Sequence, residues 1–292
     1  MTFFISIILS IGIELSVKSL ENWRRFDWFS QLTDWVCHQT ESTRFRDGPV
    51  VVLAILAPVL FAVWLVAAML GGVWGAFEFV FGVAVLSMSL GPSDPIRQTQ
   101  DYIKSLQDED TAEAKSHAAK ILTMDVSDVD DDVAITAQQV KEALLIKGCS
   151  SILGVFFWFI VLGPVGAAMF RLSCLLQGRY AGTQTGFARA IMDFYQILMW
   201  VPARFTVLCY AVVGSFVDAL HSLRHLSDLW QRDSDELLIE TGLGALHILD
   251  VTAEEERQGT ISAVVECLSL TKRAVLACIT FLAVIVIVSW IV

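Results

Sequence analysis

The residues of this sequence that have the type and spacing to bind a metal ion lie in two places. Asp residues crowd the stretch DVSDVDDD at residues 125–132, and His221 stands four residues before His225. Clustered carboxylates suit hard divalent cations, and two His residues at this spacing can ligate one ion from a helix face. A structural explanation competes with each: Asp residues cap and charge the first turn of a helix, and the His pair lies on a solvated face. We favour the structural explanations and predict no metal site.

Three ionisable residues lie inside apolar runs: Glu14, Glu78 and Arg204. Such a side chain is costly where it faces lipid at the bilayer centre, so it turns to the bundle interior or to a wet cavity and pairs with an opposite charge. We predict an intramembrane polar cavity in which Arg204 pairs with Glu14 or Glu78. The alternative for the two Glu residues is a position near the end of a span, from which they reach the interface.

Two of the apolar runs contain helix breakers. FWFIVLGPVGAAMFRL carries Gly163, Pro164 and Gly166 near its centre, and WVPAR places Pro202 two residues before Arg204. Pro and small residues give a kink and a close approach between helices, and a broken span is tolerated where it is buried in protein or lines a cavity. Pro202 also leaves one carbonyl without its helical partner, and the Arg204 guanidinium can donate to it. We therefore predict that both breaks line the same cavity.

The elements that must position these residues are membrane helices. Of the 292 residues, 55% are hydrophobic and 17% are charged, against roughly 25% charged residues in soluble domains. Six apolar runs are candidate spans: residues 2–17, 49–70, 73–90, 149–172, 197–217 and 274–292. We predict that the second, third, fourth and sixth runs are spans. Whether the first and the fifth also span the membrane stays open. The sequence predicts an all-α, polytopic transmembrane bundle of four to six spans.

The polar segments between these runs are acidic and helical. The two segments 92–148 and 218–273 hold most of the 31 Asp and Glu residues. Ala114, Ala118 and Ile121 recur at helical spacing, so we expect short helices packed under the membrane. The predicted division is N-terminal spans at 1–91, an acidic insert at 92–148, central spans with the breaks at 149–217, an acidic region at 218–273 and a last span at 274–292.

The distribution of Lys and Arg indicates the orientation in the membrane. These residues are concentrated in the segments 18–48, 92–148 and 218–273, and none lies between the second and third spans. Positive charge marks the cytoplasmic side, so we expect these three segments in the cytoplasm. The net charge of −11 argues against nucleic acid as a partner. The first apolar run lacks the flanking features of a cleaved signal peptide, so we expect it to be retained; whether it spans the bilayer stays open.

The sequence contains no signature of a bound cofactor. Its six Cys residues are isolated, with no CxxC pair, so we expect them to act as small hydrophobic side chains. It has no glycine-rich phosphate loop either. The expected partners are membrane lipids and a small-molecule or lipid-linked ligand held between the broken helices, and the oligomeric state stays open.

Several pieces of the sequence together resemble a known family. The N-terminal run ending in Glu14, the following ENWRRFDWF, the run FFWFIVLGPVGAAMFRL, WVPARF and the hydrophobic tail are similar in order and spacing to the AmpE family. These are inner-membrane proteins linked to β-lactamase induction in Gram-negative bacteria. The resemblance implies a multi-pass inner-membrane protein that acts as a sensor or modulator of cell-wall status. This regulatory, non-enzymatic role is the leading expectation from the sequence.

AmpE resembles in turn the membrane-bound cobinamide-phosphate synthases, amide-forming enzymes that join an aminopropanol unit to a corrinoid acid. Their Glu-Ser-Leu-Ala-Glu-Asn…Asp-Gly stretch corresponds here to KEALLIKGCSSILGVFFW. By this resemblance Glu142 matches the first Glu, the Glu-Asn pair falls on Ile146 and Lys147, and the Asp falls on Ser150. The alternative expectation is a membrane-bound transferase or amide-forming synthase. A small transporter is a third, although no paired inverted halves are visible.

Overall fold

The computed structural model describes residues 26–40, 48–71, 75–90, 95–219, 232–246 and 256–291. Within these ranges all regular secondary structure is helical, which confirms the predicted all-α class. The helices are α1 (Asp27–Thr40), α2 (Pro49–Gly71), α3 (Gly75–Ser89), α4 (Pro95–Gln107), α5 (Thr111–Leu122), α6 (Val133–Gly148), α7 (Gly154–Tyr180), α8 (Gly186–Val213), α9 (Ser234–Ala245) and α10 (Glu256–Ile291). A 3₁₀ turn (Val126–Asp128) precedes α6, and a π-helical turn (Cys149–Leu153) joins α6 to α7.

Three helical stretches among the described residues are long and apolar enough to cross a membrane. They are α2, the continuous stretch Val133–Tyr180 and α8, and a shorter apolar helix, Phe79–Ser89, lies within α3. On the second half of α2 the large apolar side chains of Phe61, Trp64 and Met69 are exposed. Lipid covers such a surface in a protein of this class. The chain is therefore a helical membrane protein.

The helices form two compact units, and the first contains α1, α2, α3, α7 and the first part of α8. Its core is built from α1, the first turns of α2, the end of α7 and the start of α8. The buried residues of this core are Phe29, Val36, Val51, Val52, Ile55, Leu56, Leu172, Leu176, Phe187, Ala190 and Ile191. At the end of α7, Arg179 holds α1 in place: its Nη2 donates to both carboxylate oxygens of Asp34, at 2.7 and 2.9 Å, and its Nη1 donates to the Ser30 carbonyl at 2.9 Å.

The second unit contains α4, α5, α6, the second part of α8, α9 and most of α10. Three of its helices begin at an Asp side chain that accepts a hydrogen bond from a backbone N–H of the first turn. The caps are Asp110, Asp132 and Asp233, and the bonds measure 2.9, 2.8 and 3.0 Å. Such caps satisfy donors that a helix start leaves open. They explain why these short polar helices begin where they do.

The acidic insert has the amphipathic helices that its sequence predicts. Ala118 and Ile121 of α5 and Val140 and Leu144 of α6 are fully buried. These residues lie on the apolar faces that the helical spacing indicates. The prediction of short amphipathic helices in this segment is confirmed, and their position under the membrane stays a prediction.

The Asp cluster at residues 125–132 is used for capping and for one surface ion pair. Asp132 is the N-cap of α6, and Asp130 accepts a hydrogen bond from the Asp132 N–H at 2.9 Å. Asp131 pairs with Lys115 of α5, and this ammonium holds the pKa of the Asp131 carboxyl below its ordinary value. The described part of the chain contains no group of three or more His, Cys, Asp or Glu placed to hold a metal ion.

Candidate functional site

The break in α7 folds the helix back on itself. Gly163 has φ 66° and ψ −150°, a backbone conformation that glycine alone adopts readily. A Cβ on Gly154 would lie 2.2 Å from the ring of Phe170, whereas a straight helix separates residues sixteen apart by about 24 Å. The first limb (residues 154–162) and the second limb (residues 164–180) therefore pack against each other. The run at 149–172, predicted as one span, is bent sharply at its centre.

Two glycines allow the close contacts around this bend. A Cβ on Gly166 would lie 2.2 Å from the carbonyl oxygen of Trp158, and a Cβ on Gly82 of α3 would lie 3.7 Å from the Phe159 ring and 3.9 Å from the Pro164 ring. The α3 helix thus contacts both limbs at a residue without a side chain. Gly163, Pro164 and Gly166 form the interior of the bend, where the predicted kink and close approach are both present.

The proline in α8 leaves a backbone carbonyl without its helical donor, and α7 supplies another donor. Pro202 has no N–H to donate to the Leu198 carbonyl, four residues earlier. The indole Nε1 of Trp158, on the first limb of α7, donates to this oxygen at 3.0 Å. The donor expected from the sequence is Arg204, and the structure corrects it to Trp158. The two breaks are therefore linked by one hydrogen bond.

Arg204 contacts the preceding turn of its own helix. Its Nη1 donates to the Trp200 carbonyl at 3.0 Å, and its guanidinium carbon lies 4.2 Å from the centre of the Trp200 ring. This geometry is a cation–π contact. Glu14 lies outside the described residues, and for Glu78 only its place in α3 is described. The pairing of Arg204 with either carboxylate therefore stays a prediction.

His221 and His225 also lie outside the described residues, so the expectation of a solvated His pair stays a prediction. Asp218, one turn earlier, is described, and it accepts a hydrogen bond from the Ser215 hydroxyl. Within the predicted acidic region, the described residues resume at residue 232, just before α9.

A buried polar seam joins α6, the π-helical turn, α8 and α10 within the second unit. It consists of Cys149, Thr206, Tyr210, Cys267 and Thr271, each at most 1% exposed. The Tyr210 hydroxyl donates to the last turn of α6 at 3.0 Å, the Thr206 hydroxyl donates to Cys149 Sγ at 3.1 Å, and the Cys267 thiol donates to a carbonyl of α6 at 3.8 Å. Hydroxyls that bond across helices hold membrane bundles together, and π-helical turns frequently occur at functional sites.

An open groove of about 580 Å³ lies in the second unit, between α4, α5 and the turn that follows α5. Its lining residues are Gln98, Ser116, Ala119, Lys120, Thr123, Met124, Asp125 and Val126. Thr123 closes the end of α5 in a left-handed conformation with φ 61°. Lys147 of α6 donates to the Thr123 hydroxyl at 2.7 Å and to the Ile121 carbonyl at 2.6 Å. The groove combines an ammonium, amide and hydroxyl groups with the apolar side chains of Met124 and Val126, and this mixture suits an amphipathic small molecule.

Helix α6 carries three charged residues in its second half, and their spacing at positions 141, 142 and 147 places them on different sides of the helix. Glu142 is half-buried and accepts a hydrogen bond from the Gln138 amide at 2.7 Å. Lys141 beside it is buried, with 9% of its surface exposed. Lys147 follows about 7.5 Å further along the helix from Glu142. A carboxylate and an ammonium are therefore presented within one and a half turns of α6.

Sequence reasoning missed several of these residues. The treatment of every Cys as an isolated hydrophobic side chain is corrected by the Cys209–Cys278 disulfide, whose Cα atoms are 6.2 Å apart. A separation of 69 residues gives no spacing signal. Trp158 could have been found from the sequence. A buried indole N–H in an apolar run needs a hydrogen-bond acceptor, and the carbonyl left open by Pro202 is one.

Comparison with known proteins assigns the chain to a family. The model of the family described as CobD/Cbib protein matches residues 7–237. The chain belongs to the CobD/CbiB family. The region matched to CobD/CbiB contains the reversal at Gly163, Pro202, the groove and Glu142 of α6.

Two curated relatives are named cobalamin biosynthesis protein CobD. The protein of Stutzerimonas stutzeri is 28% identical over 200 residues, 68% of this chain, and that of Chromobacterium violaceum is 26% identical over 204 residues, 69% of this chain. The chain spans 63% of the length of each relative. No solved structure matches the chain.

These comparisons correct the leading functional expectation. The family and both relatives carry cobalamin names, and no finding points to AmpE, to β-lactamase induction or to antibiotic response. The predicted regulatory role in cell-wall signalling is therefore wrong. The alternative expectation, a membrane-bound synthase like the cobinamide-phosphate synthases, agrees with the CobD/CbiB assignment.

Proposed function

We propose that this protein acts in cobalamin biosynthesis as a membrane-embedded, amide-forming enzyme that condenses an amine with a corrinoid carboxylic acid. The observation that carries the proposal is the CobD/CbiB family match over residues 7–237. The shared name of the two curated relatives supports it. The match covers both broken helices, the groove and Glu142.

Amide formation sets two chemical requirements that α6 and the groove are suited to meet. The C–N bond forms as one carboxyl oxygen leaves, as water or as part of an activating group carried by the acid. The attacking amine must lose a proton to a nearby base, and the negative charge that develops on the remaining oxygen must be held by donors. We assign the first role to the Glu142 carboxylate, which lies at the position of the first Glu of the synthase stretch. Lys147, which holds the rim of the groove through Thr123, supplies a cation for the second role.

The same proposal places the reaction in the inner membrane of the cell, with the polar segments on the cytoplasmic side. The concentration of Lys and Arg in those segments supports this orientation. The groove and Glu142 belong to the acidic insert, so a small-molecule or lipid-linked ligand would reach them from the cytoplasm.

The test is complementation of a strain that lacks its own amide-forming CobD/CbiB protein, under conditions where growth requires cobalamin. We expect growth and the appearance of the amidated corrinoid by mass spectrometry of cell extracts. Glu142→Gln keeps the shape of the side chain and removes the base, so product formation should fall by about 10²-fold or more. Unconverted corrinoid acid in cells that hold the folded protein in their membranes contradicts the proposal.

Glu236→Gln is the matched control for that variant. Glu236 lies on the exposed face of α9 in the same unit, and the substitution makes the same chemical change. Wild-type product formation by Glu236→Gln together with its loss in Glu142→Gln assigns the effect to the α6 position. An equal loss in both variants contradicts the role of Glu142.

A further inference from the structure

Helix α1 has an apolar face that the protein covers only in part. Phe29, Thr33 and Val36 are buried at 3%, 0% and 7% exposure, whereas Trp28 and Trp35 are 48% and 64% exposed. Residues seven apart lie on the same side of a helix, two turns from each other. The two indoles therefore form an exposed aromatic stripe beside the buried face, and nothing in the described part of the first unit covers it fully.

The packing of α1 places this stripe at the level where a membrane span begins. Val51, Val52, Ile55 and Leu56, in the first turns of α2, share one core with α1. The exposed apolar side chain of Phe61 lies about 15 Å along α2 from Val51. Since α2 is long and apolar enough to cross the bilayer, a helix that packs on its first turns lies near the bilayer surface.

The opposite edge of the exposed face of α1 is polar. Gln31, Asp34 and His38 are exposed there, and Arg179 forms an ion pair with Asp34 at 2.7 Å. The carboxylate of Asp34, which precedes Trp35 in the sequence, therefore has its charge balanced within the protein. A helix with aromatic residues on one edge and polar residues on the other suits the interface between headgroups and acyl chains.

We propose that α1 is an interfacial helix whose Trp28 and Trp35 insert into the headgroup layer of the bilayer. Trp side chains concentrate at this depth because the ring is apolar and its N–H finds polar partners there. The partner of this surface is lipid. The stripe adjoins the first turns of a membrane span, and this continuity favours lipid over a second copy of the chain as its occupant.

An environment-sensitive fluorophore on a single new cysteine tests the proposal in the full-length protein reconstituted into phosphatidylcholine liposomes. Trp35→Cys is compared with His38→Cys, both in a parent in which the neighbouring Cys37 is replaced with Ser, and each signal is corrected for labelling of that parent. We expect blue-shifted emission at position 35, strong quenching by lipids with a nitroxide near the headgroup and weak quenching by an aqueous nickel chelate. Position 38 should give the reverse.

Three outcomes overturn the proposal. Equal quenching of both positions by the aqueous chelate shows that α1 is surrounded by water. Efficient disulfide cross-linking between two Trp35→Cys chains through position 35, with no lipid quenching, shows that a second copy covers the stripe. Stronger quenching of position 35 by nitroxides deep in the acyl chains than by those near the headgroups places α1 within the bilayer core.

Discussion

The two broken helices, α7 at Gly163 and α8 at Pro202, respond to their breakers in different ways. In α7 a glycine with φ 66° reverses the chain, so that limbs on either side of it pack together. In α8 the helix continues from Gly186 to Val213 through its proline. The difference follows from chemistry: glycine permits a backbone conformation that other residues rarely adopt, whereas proline only removes one N–H and crowds the preceding turn.

The two breaks depend on each other through one hydrogen bond. The reversal in α7 places Trp158 where its indole donates to the Leu198 carbonyl that Pro202 leaves open. A buried carbonyl without a partner is costly where water is absent. Helix α7, which has the larger distortion, therefore supplies the hydrogen-bond donor that α8 lacks.

The largest expected effect comes from filling the interior of the α7 bend. A Cβ on Gly166 would lie 2.2 Å from the Trp158 carbonyl oxygen, and a backbone atom cannot move aside as a flexible side chain can. We expect Gly166→Ala to lower the free energy of unfolding by about 3 kcal/mol or more. Thermal unfolding in detergent measures the change.

Gly178→Ala is the control for that substitution, because nothing lies within 4 Å of a Cβ there. This variant should be neutral or stabilised by up to about 1 kcal/mol, since Ala favours the helix more than Gly. A Gly166→Ala protein as stable as Gly178→Ala would show that the limbs are further apart than the structure has them.

The link between the two breaks predicts a coupling between Trp158 and Pro202. Trp158→Phe keeps an aromatic ring and removes the donor, which leaves the Leu198 carbonyl open and should cost about 1–3 kcal/mol. Pro202→Ala restores the missing backbone N–H. In the Pro202→Ala background, Trp158→Phe should therefore cost much less, and a double-mutant cycle on unfolding measures the difference.

Trp64→Phe, at an exposed position of α2, serves as the control for the loss of an indole N–H. It should show no coupling to Pro202→Ala. Additive effects of Trp158→Phe and Pro202→Ala would refute the link.

The stability lost on replacing Arg204 distinguishes contacts within its own helix from a buried ion pair. If its contacts are those with the preceding turn, Arg204→Met should cost about 0.5–2 kcal/mol, the range of a cation–π contact. If Arg204 also forms a buried ion pair with the carboxylate of Glu78, removal of one partner should cost about 3–5 kcal/mol. Comparison of Arg204→Met alone with Arg204→Met in a Glu78→Gln background distinguishes the two, because only a pair gives a smaller cost in that background.

A smaller effect is expected at the start of α6. Asp132→Ala removes the side chain that accepts from the Ala134 N–H at 2.8 Å, so the protein should lose about 1 kcal/mol of stability. Asp128→Ala, at an exposed position in the 3₁₀ turn, should lose less. Denaturant unfolding measures both variants. An equal loss of stability in Asp132→Ala and Asp128→Ala would contradict the capping role of Asp132.

The smallest effect is expected from the ion pair of Asp131 with Lys115. The pKa of Asp131 is lowered by Lys115, so any stabilisation is present above the unfolded-state pKa and is lost as pH falls through the lower folded-state value. The Asp131 side chain is 97% exposed, and exposed pairs contribute little. Asp131→Asn should therefore remove only a small part of the loss of stability in acid, and a large difference from wild type in the pH dependence of unfolding would count against this.

The sequence predicts the helical class, the span at α2 and the amphipathic helices of the insert, because each depends on a periodic or continuous pattern of apolar residues. It also predicts that Asp residues of the cluster at 125–132 cap α6. Each of these features is local in the chain. A window of ten to twenty residues contains the information that produces it.

The missed features depend on contacts between distant residues. The donor for the Leu198 carbonyl is Trp158, forty residues away, and the nearer guanidinium of Arg204 was the simpler choice from the sequence. Composition shows that Gly163 permits a bend, but the angle of the bend is set by what packs on both limbs, such as Phe170 on Gly154. The Cys209–Cys278 pair is hidden from the sequence for the same reason.

The hydrogen bond between Trp158 and Leu198 also orders the substitutions by which such a pair arises. A lineage that acquires Pro202 first carries an open carbonyl until an indole appears, whereas a lineage that acquires Trp158 first gains a donor that shares an oxygen already bonded within its helix. The second route avoids the unfavourable intermediate. Once both residues are present, loss of the indole is destabilising for as long as Pro202 remains.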